Sequence, residues 1–197
     1  MSKPYWYQNC CFTNKQIRKM NLDKKKSLLL LATAAIGTVA YNALKPVISR
    51  PDVVDPFDLD KYLGKWYEIA RLDFHWERGL SQVSAEYSKN KNGTIRVNNQ
   101  GYSEDKERWK QSIGKAKFVN GPHEGALKVS FFGPFYSGYN VVKITPDYKY
   151  ALVFGDNLDY MWILGRETEI PDKIRNEFLT YALQCGYETG DLVWTKH

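Results

Sequence analysis

The chain contains the stretch Gly64-Lys65-Trp66-Tyr67-Glu68-Ile69-Ala70-Arg71, in which large and small side chains alternate after a glycine. This alternation predicts a β-strand, because successive side chains of a strand point to opposite faces. The glycine indicates a turn or a close backbone approach where the strand begins. The tryptophan two residues later needs a large apolar site and a partner for its ring N–H. This strand is therefore expected to anchor the core of the fold.

The composition favours a β-rich domain and excludes a nucleic-acid partner. Aromatic residues make up 15% of the 197 residues, and flat rings pack well on pleated sheets. The net charge is +6, but residues 41–197 hold 21 basic and 21 acidic residues, so the whole excess lies in residues 1–40. A nucleic-acid-binding domain needs a basic face on the fold itself. We therefore predict no nucleic-acid partner.

Residues 1–44 have the order of a basic head followed by a signal peptide or a membrane anchor. Lys24-Lys25-Lys26 precedes an apolar and small-residue run over 28–40, which is the order of a secretory signal. Thr38-Val39-Ala40 offers a cleavage site, whereas extension of the run through Leu44 gives a stretch barely long enough to span a membrane. Both interpretations stay open. In either case the basic side stays cytoplasmic and the rest of the chain faces the exported compartment.

Residues 45–56 are predicted to be an extended linker, because they contain three prolines and no periodicity. The folded domain is then residues 57–197. The chain carries a second methionine, Met20, directly before the basic run. A translation start at Met20 and one at Met1 are equally compatible with the pattern.

The domain reads as a series of strands separated by short turns. We predict strands over residues 64–74, 82–88, 94–102, 107–119, 126–132, 139–145, 148–154 and 160–166. Closing such a sheet into a barrel removes both exposed edges and leaves an interior for one small ligand. The predicted fold is therefore all-β, an eight-stranded antiparallel up-and-down barrel.

A single helix is predicted after the barrel, over residues 171–185. Its apolar face consists of Ile174, Phe178, Tyr181, Ala182 and Cys185. Pro171 suits the first turn and Gly186 the end of such a helix. We expect this C-terminal helix to pack on the outside of the barrel, followed by a short strand over residues 191–195.

The sequence carries no signature of a cofactor, a metal site or a catalytic centre. There is no Gly-x-Ser-x-Gly, no phosphate-binding loop and no His/Cys metal spacing. The three cysteines give no disulfide framework, and Cys185 is expected to be a small buried apolar residue. We predict no cofactor, no metal and no enzymatic activity.

Three short regions give the chain a family resemblance. Gly64-x-Trp66 on the first strand, Asp147-Tyr148 in the turn between the sixth and seventh strands and Arg166 at the end of the eighth resemble, in this order, the conserved regions of the lipocalins. The run Leu127-Lys128-Val129-Ser130-Phe131-Phe132-Gly133-Pro134-Phe135-Tyr136 is similar to the bacterial branch of that family. The resemblance covers residues 57–197 and implies a lipocalin barrel.

The resemblance implies that Arg166 lies across Trp66 at the floor of the barrel, which is a cation–π contact. Five residues are therefore expected to close the barrel rather than to bind a ligand: Gly64, Trp66, Asp147, Tyr148 and Arg166.

Ligand contacts are expected from the inward strand positions above this floor. Alternation predicts that the lumen is lined by Ala70, Ala85, Tyr87, Val97, Asn99, Val129, Phe131, Tyr139, Val141, Leu152, Phe154, Tyr160 and Trp162. This mostly apolar set suits an elongated apolar ligand with one polar end. The alternative, that these rings simply fill the barrel, stays open.

The loops at residues 74–76, 102–103, 133–136 and 155–156 are expected at the mouth of the barrel. Their aromatic residues either dip into a membrane surface or pack on one another. Three cations are candidates for receiving an anionic head group there: Arg71, Arg78 and Lys110.

The resemblance implies a lipid-binding carrier that stores or transports fatty acids or lysophospholipids for membrane maintenance under stress. The expected partners are this small hydrophobic ligand, a membrane surface and a second copy of the chain in a homodimer. One alternative is a lipocalin-fold enzyme that acts on a lipid or a small oxidisable substrate through His75, Glu68 and Asp73. Another is a haem or tetrapyrrole carrier.

The resemblance also implies the cell envelope of a Gram-negative bacterium, on the side that faces the periplasm. Bacterial relatives at the outer membrane carry a cysteine that is acylated at the end of the signal. Here the apolar run ends Gly37-Thr38-Val39-Ala40-Tyr41 without a cysteine. A periplasmic or a signal-anchored form is therefore expected as much as an outer-membrane one.

Overall fold

The computed structural model describes residues 52–75 and 77–197. The basic head, the predicted signal or anchor and most of the linker lie outside these residues. Within the described ranges no helix is long and apolar enough to cross a membrane.

This part of the chain contains nine β-strands and two α-helices. The strands are β1 Gly64–Leu72, β2 Leu80–Lys89, β3 Ile95–Ser103, β4 Arg108–Phe118, β5 Ala126–Phe132, β6 Phe135–Ile144, β7 Tyr150–Phe154, β8 Met161–Gly165 and β9 Leu192–Trp194. The helices are α1 Leu59–Tyr62 and α2 Asp172–Gln184.

Strands β1 to β8 form a closed antiparallel barrel. The sheet runs in the order β2-β3-β4-β5-β6-β7-β8-β1, and β1 also pairs with β2. The closing register runs from Gly64 opposite Tyr87 to Tyr67 opposite Ser84. Strand β9 pairs with the last residues of β1, on the side of β1 where β2 no longer pairs with it. The predicted eight-stranded up-and-down barrel is confirmed.

The strand limits agree with the sequence pattern except at the start of β6. This strand begins at Phe135, four residues before the predicted start. Phe132 pairs directly with Phe135, so Gly133-Pro134 is a two-residue hairpin turn instead of part of a longer loop. Gly133 has a φ of 55°, a conformation that glycine adopts without strain.

Two hydrophobic cores hold the domain together. The inner core lies within the barrel and contains Trp66, Val97 and Val153. The outer core lies between the barrel wall and α2, where Phe178 and Ala182 pack on the strands. The prediction that the C-terminal helix packs on the outside is confirmed.

Two of the residues predicted to line the lumen, Leu152 and Phe154, lie in the outer core instead. The ring of Phe154 stacks on Tyr187, with the ring centroids 4.1 Å apart. Because α2 covers β7 from outside, every residue of β7 is buried. A strand buried on both faces shows no polar alternation that would reveal its inner side, and the prediction for these two residues is wrong.

Ala70 also belongs to the outer core, so its predicted place in the lumen is wrong as well. The pairing of β1 with β8 shifts between Glu68 and Ala70, which marks a β-bulge. A bulge inserts one residue into the strand and reverses the faces beyond it. Glu68 therefore remains inside the barrel, whereas Ala70 faces outward.

Candidate ligand-binding site

The floor of the barrel is closed by Trp66 and Arg166. The guanidinium carbon of Arg166 lies 3.9 Å from the centroid of the Trp66 ring, so the predicted cation–π contact is present. Trp66 is fully buried, and its ring N–H donates to the carbonyl of Tyr62 at 2.7 Å. The ring N–H of Trp66 thus has an acceptor, and its ring face has a cation as partner.

Arg166 also gathers the backbone of the floor. Its guanidinium donates to five carbonyls, those of Lys61, Tyr62, Leu63, Lys65 and Tyr148. The carbonyls at the end of a helix such as α1 have no intrahelical partner, and Arg166 supplies one. Gly64 has a φ of 91°, and a Cβ there would meet Arg166 Nη1 at 3.5 Å.

The Asp147-Tyr148 turn fixes the same end of the barrel. The Asp147 carboxylate accepts the hydroxyl of Thr145 at 2.6 Å and the N–H of Lys149 at 3.2 Å, and the Thr145 bond lowers the Asp147 pKa. Tyr148 has a φ of 57°, and its hydroxyl accepts the N–H of Asp58 at 2.9 Å. This turn therefore holds the β6–β7 connection against the start of α1.

Above the floor the barrel encloses a cavity of about 280 Å³. Nine of the predicted lumen residues line it: Ala85, Tyr87, Val97, Asn99, Val129, Phe131, Tyr139, Tyr160 and Trp162. Val141 belongs to the inner core but lies away from the cavity wall. Its carbonyl accepts the N–H of Val54 at 2.9 Å, so the segment before α1 covers it.

The cavity wall includes residues that sequence reasoning missed. Ile95 and Leu127 continue the inner faces of β3 and β5, and the same alternation extended to the strand ends would have found them. Tyr62 and Glu77 lie outside the strands, where no periodicity marks an inward position. These two carry much of the polar chemistry of the cavity.

Three tyrosine hydroxyls form a polar cluster in the cavity. The hydroxyl of Tyr139 lies 2.6 Å from that of Tyr62 and 2.7 Å from that of Tyr87. Burial raises the pKa of all three phenols, so they stay neutral at physiological pH. Two of the three protons form the bonds within the cluster, and the third remains able to bind a ligand oxygen.

A second polar cluster lies between β1 and the β1–β2 loop. Arg71, only 1% exposed, donates to the Glu68 carboxylate at 2.6 Å and to the Glu77 carbonyl at 2.8 Å. Glu68 also accepts the hydroxyl of Thr195 at 2.6 Å. The ring N–H of Trp162 donates to the Glu77 carboxyl at 3.1 Å. Arg71 is therefore engaged on both sides.

The Glu77 carboxyl is held in a place that disfavours its charge. Burial, followed by the nearby charge of Glu68, raises the pKa of Glu77 to about 8. The hydrogen bond from Trp162 and the charge of Arg71 act in the opposite direction but are smaller. Near neutral pH this carboxyl consequently keeps its proton, which makes it a donor as well as an acceptor.

The candidate cations for an anionic head group do not reach the cavity. Arg71 is engaged with Glu68, and Arg78 pairs with Asp73 at 2.8 Å on the exposed side of the β1–β2 loop. None of Arg71, Arg78 and Lys110 lines the cavity. The cavity wall therefore presents carboxyl groups instead of cations to a bound molecule.

The hypothetical acid–base group of His75, Glu68 and Asp73 is not assembled at the cavity. Of these three, only Glu68 lines it, and Asp73 pairs with Arg78. In residues 52–75 and 77–197 no cluster of three or more His, Cys, Asp or Glu side chains could hold a metal ion.

The mouth carries exposed aromatic rings on the β5–β6 hairpin. Phe132 is 65% and Phe135 is 78% exposed, and both also line the entrance to the cavity. The side chain of Trp76, predicted at the same rim, lies outside the described residues.

Known proteins resemble this chain over the whole barrel. The Lipocalin-like domain family matches residues 57–197. The outer membrane lipoprotein Blc of Escherichia coli (strain K12) is 46% identical over 169 residues, which cover 86% of this chain and 95% of that protein. Apolipoprotein D of Rattus norvegicus is 35% identical over 164 residues, which cover 78% of this chain and 84% of that protein.

Solved structures agree on the fold. Insecticyanin from the tobacco hornworm Manduca sexta superposes with a TM-score of 0.64 at 17% identity, covering 78% of this chain and 87% of that chain. At this identity the likeness supports the architecture alone. The closed barrel, the helix outside it, the Trp66–Arg166 floor and the match over residues 57–197 together show that the chain belongs to the lipocalin family.

Proposed function

We propose that this chain is a non-enzymatic carrier that stores or transports fatty acids or lysophospholipids in the cell envelope for membrane maintenance under stress. The observation that carries the proposal is the cavity of about 280 Å³, with apolar side chains on most of its wall. Burial of ten methylene groups of an acyl chain contributes about 8 kcal/mol before the cost of association. The wall offers this burial without any chemistry on the ligand.

The polar clusters fit an amphiphile better than a hydrocarbon. The tyrosine hydroxyls and the Glu77 carboxyl offer hydrogen-bonding groups on a mostly apolar wall. A molecule with a long chain and a polar end can bury the chain and still form hydrogen bonds. This supports a single-chain lipid as the ligand class.

The family relatives support a place in the envelope. Proteins of Citrobacter freundii and Escherichia coli at 47% and 46% identity are named outer membrane lipoproteins. Because residues 37–41 contain no cysteine, we propose a periplasmic or signal-anchored form that faces the same compartment. The exposed Phe132 and Phe135 rings beside the cavity support contact with a membrane surface, where a lipid would enter.

A homodimer is the remaining part of the proposal. Strand β4 presents Trp109 and Ile113 to solvent, 57% and 52% exposed. Such apolar side chains on an outer strand face support contact with a second copy. The intact mass of the native protein tests this directly.

The proposed function is tested by native mass spectrometry of the full-length chain purified from its own host. We expect a bound fatty acid or lysophospholipid in the wild-type protein. Ala85→Trp places a large ring in the cavity, and we expect this variant to lose the lipid. Ser88→Trp adds the same ring to an exposed position of β2 and serves as the matched control.

An Ala85→Trp variant that keeps the same lipid would contradict binding inside the barrel. A Soret band in the purified protein would favour a tetrapyrrole carrier instead. Hydrolysis of lysophospholipid that is lost in His75→Ala would contradict the absence of catalysis. The same preparation thus separates the carrier from both alternatives.

A further inference from the structure

We propose that the cavity recognises a substituted ammonium group at the polar end of its ligand, held by Glu77 among the rings of Phe74, Tyr160 and Trp162. The inference rests on the carrier function proposed above and names the head-group chemistry of the same cavity. It selects among single-chain lipids: an ammonium-bearing head is preferred over a bare carboxylate.

The three rings form a compact aromatic group on the cavity wall. Phe74 meets Tyr160 and Trp162 edge-on, with centroid distances of 5.4 Å and 5.7 Å. Tyr160 and Trp162 stack with their centroids 6.2 Å apart, and all three rings line the cavity. Aromatic faces attract cations, and enclosures of several rings are suited to alkylated ammonium groups.

The carboxyl of Glu77 joins this aromatic group through the Trp162 ring N–H. Glu77 itself lines the cavity, so its carboxyl is within reach of a bound head group. An ammonium group beside it would gain a charge-assisted hydrogen bond or ion pair in addition to the aromatic faces.

In residues 52–75 and 77–197, no cation forms an ion pair with the Glu77 carboxyl. Arg71 gives its side-chain bond to the Glu68 carboxylate, whereas from Glu77 it binds only the backbone carbonyl. Its contact with Asp73 is longer, at 3.8 Å, and Asp73 is itself paired with Arg78. Arg71 is thus matched to Glu68, and an ammonium ligand would supply the positive charge that an ionised Glu77 carboxylate lacks.

The rest of the cavity wall points the same way. Its acidic members are Glu68, Glu77 and Asp156, and none of its described lining residues is Lys, Arg or His. Like charges in a partly desolvated cavity repel each other, so an anionic head would be disfavoured here once Glu77 is ionised. A cationic or zwitterionic head whose ammonium reaches Glu77 meets no such repulsion.

The experiment compares three twelve-carbon probes that differ in the charge of the head: dodecyltrimethylammonium, laurate and monolaurin. Each is titrated calorimetrically, below its micelle concentration, into the full-length wild-type chain at about pH 9, where Glu77 is largely ionised. We expect the ammonium probe to bind about tenfold more tightly than laurate, with monolaurin between them.

Two variants test the role of Glu77. Glu77→Gln keeps a hydrogen-bond acceptor for Trp162 but removes the charge, so we expect the preference for the ammonium probe to fall to about twofold or less. Glu86→Gln removes one charge from an exposed position of β2 and should retain the full preference. The two variants therefore carry the same net charge.

A pH series on the wild-type protein gives an independent readout if Glu77→Gln does not fold. Binding of the ammonium probe should release a proton near neutral pH and tighten as the pH rises towards about 8, whereas binding of monolaurin should not. Laurate binding as tightly as the ammonium probe, or an unchanged preference in folded Glu77→Gln, overturns the inference and leaves the carrier function standing. Failure of all three probes to bind overturns both.

Discussion

The floor and the mouth of this barrel each contain an arginine in the wall, half-buried Arg166 and fully buried Arg71, but the two arginines have very different hydrogen-bond partners. At the floor, Arg166 has the Trp66 ring and five carbonyls as partners. At the other cluster, Arg71 binds the Glu68 carboxylate and the Glu77 backbone carbonyl, and its Nε has no hydrogen-bond partner among the described residues. An arginine whose donors are all paired stabilises the fold, whereas a cluster with an unpaired donor and a carboxyl without a counter-ion can still bind a ligand. This difference separates stability from recognition within one barrel.

The largest effect should follow from Trp66→Ala at the floor. Loss of a fully buried tryptophan removes apolar contacts and leaves a cavity, which costs about 3–5 kcal/mol in the free energy of unfolding. Urea unfolding followed by circular dichroism measures it. Trp109→Ala, at an exposed site, should change stability by about 0.5 kcal/mol or less. If the two variants were equally stable, the floor would not be a centre of stability. An altered ligand preference in folded Trp66→Ala would show that the floor takes part in ligand recognition.

The second effect should come from Arg166→Met, which keeps an unbranched apolar chain but removes every donor. The partly buried carbonyls of Leu63 and Tyr148 would lose this partner, and an acceptor left unpaired away from water costs about 1–3 kcal/mol. Arg166→Lys should recover only part of this, because an ammonium has three donors and no planar face. Full recovery in chemical unfolding would show that charge alone holds the floor.

The third effect is a pH dependence that belongs to the Glu77 cluster. The folded state keeps the Glu77 proton up to about pH 8, whereas an unperturbed glutamate loses it near 4.5. Between these values the unfolded chain binds fewer protons, so the free energy of unfolding falls as the pH rises, by at most about 1.4 kcal/mol per pH unit.

Glu77→Gln removes this titration, and its stability relative to wild type should therefore increase from about pH 5 to about pH 8 and level off above. Thermal or urea unfolding over this range measures the difference between the two proteins. A constant difference across the range would show that Glu77 titrates normally. The contrast with the floor, where no acid of the described residues forms an ion pair with Arg166, would then weaken.

The smallest effect on stability is expected for Phe135→Ser at the mouth. The ring is 78% exposed, so the free energy of unfolding should change by about 0.5 kcal/mol or less. Binding to liposomes, measured by co-sedimentation, should weaken several-fold if the hairpin contacts the membrane. Leu183→Ser, an exposed apolar position on α2, is the matched control. Equal loss in both variants would argue against the mouth as the contact surface.

The sequence predicts the barrel well because its outer and inner faces differ over most of the strands. Strand β5 shows this: Leu127 and Val129 line the cavity, Val129 as predicted, and Lys128 between them is exposed. Strand β7 has no such contrast, since α2 buries its outer face, and its sequence pattern does not reveal that Leu152 and Phe154 face outward. The pattern of a strand identifies its inner face only where the other face meets water.

The polar chemistry of the cavity is harder to predict for a different reason. Glu77 lies in a loop, and its inward position depends on the Arg71 and Trp162 bonds that reach it from β1 and β8. Neither bond leaves a periodic signal. The floor can be predicted from the sequence because Trp66 and Arg166 belong to a family pattern, although they are 100 residues apart.

The bulge after Glu68 determines which charged side chains face the interior of the barrel. Glu68 and Arg71 are three residues apart, an odd spacing that would place them on opposite faces of a regular strand. The extra residue changes the parity, and the guanidinium reaches the carboxylate at 2.6 Å within the wall. If the strand ran through these residues without the bulge, Arg71 would face outward as Ala70 does now, and Glu68 would face the lumen without its arginine partner. The bulge thus sets whether the interior carries a counter-ion, whereas deletion of Ile69 would leave Glu68 and Arg71 two residues apart and keep both on the inner face.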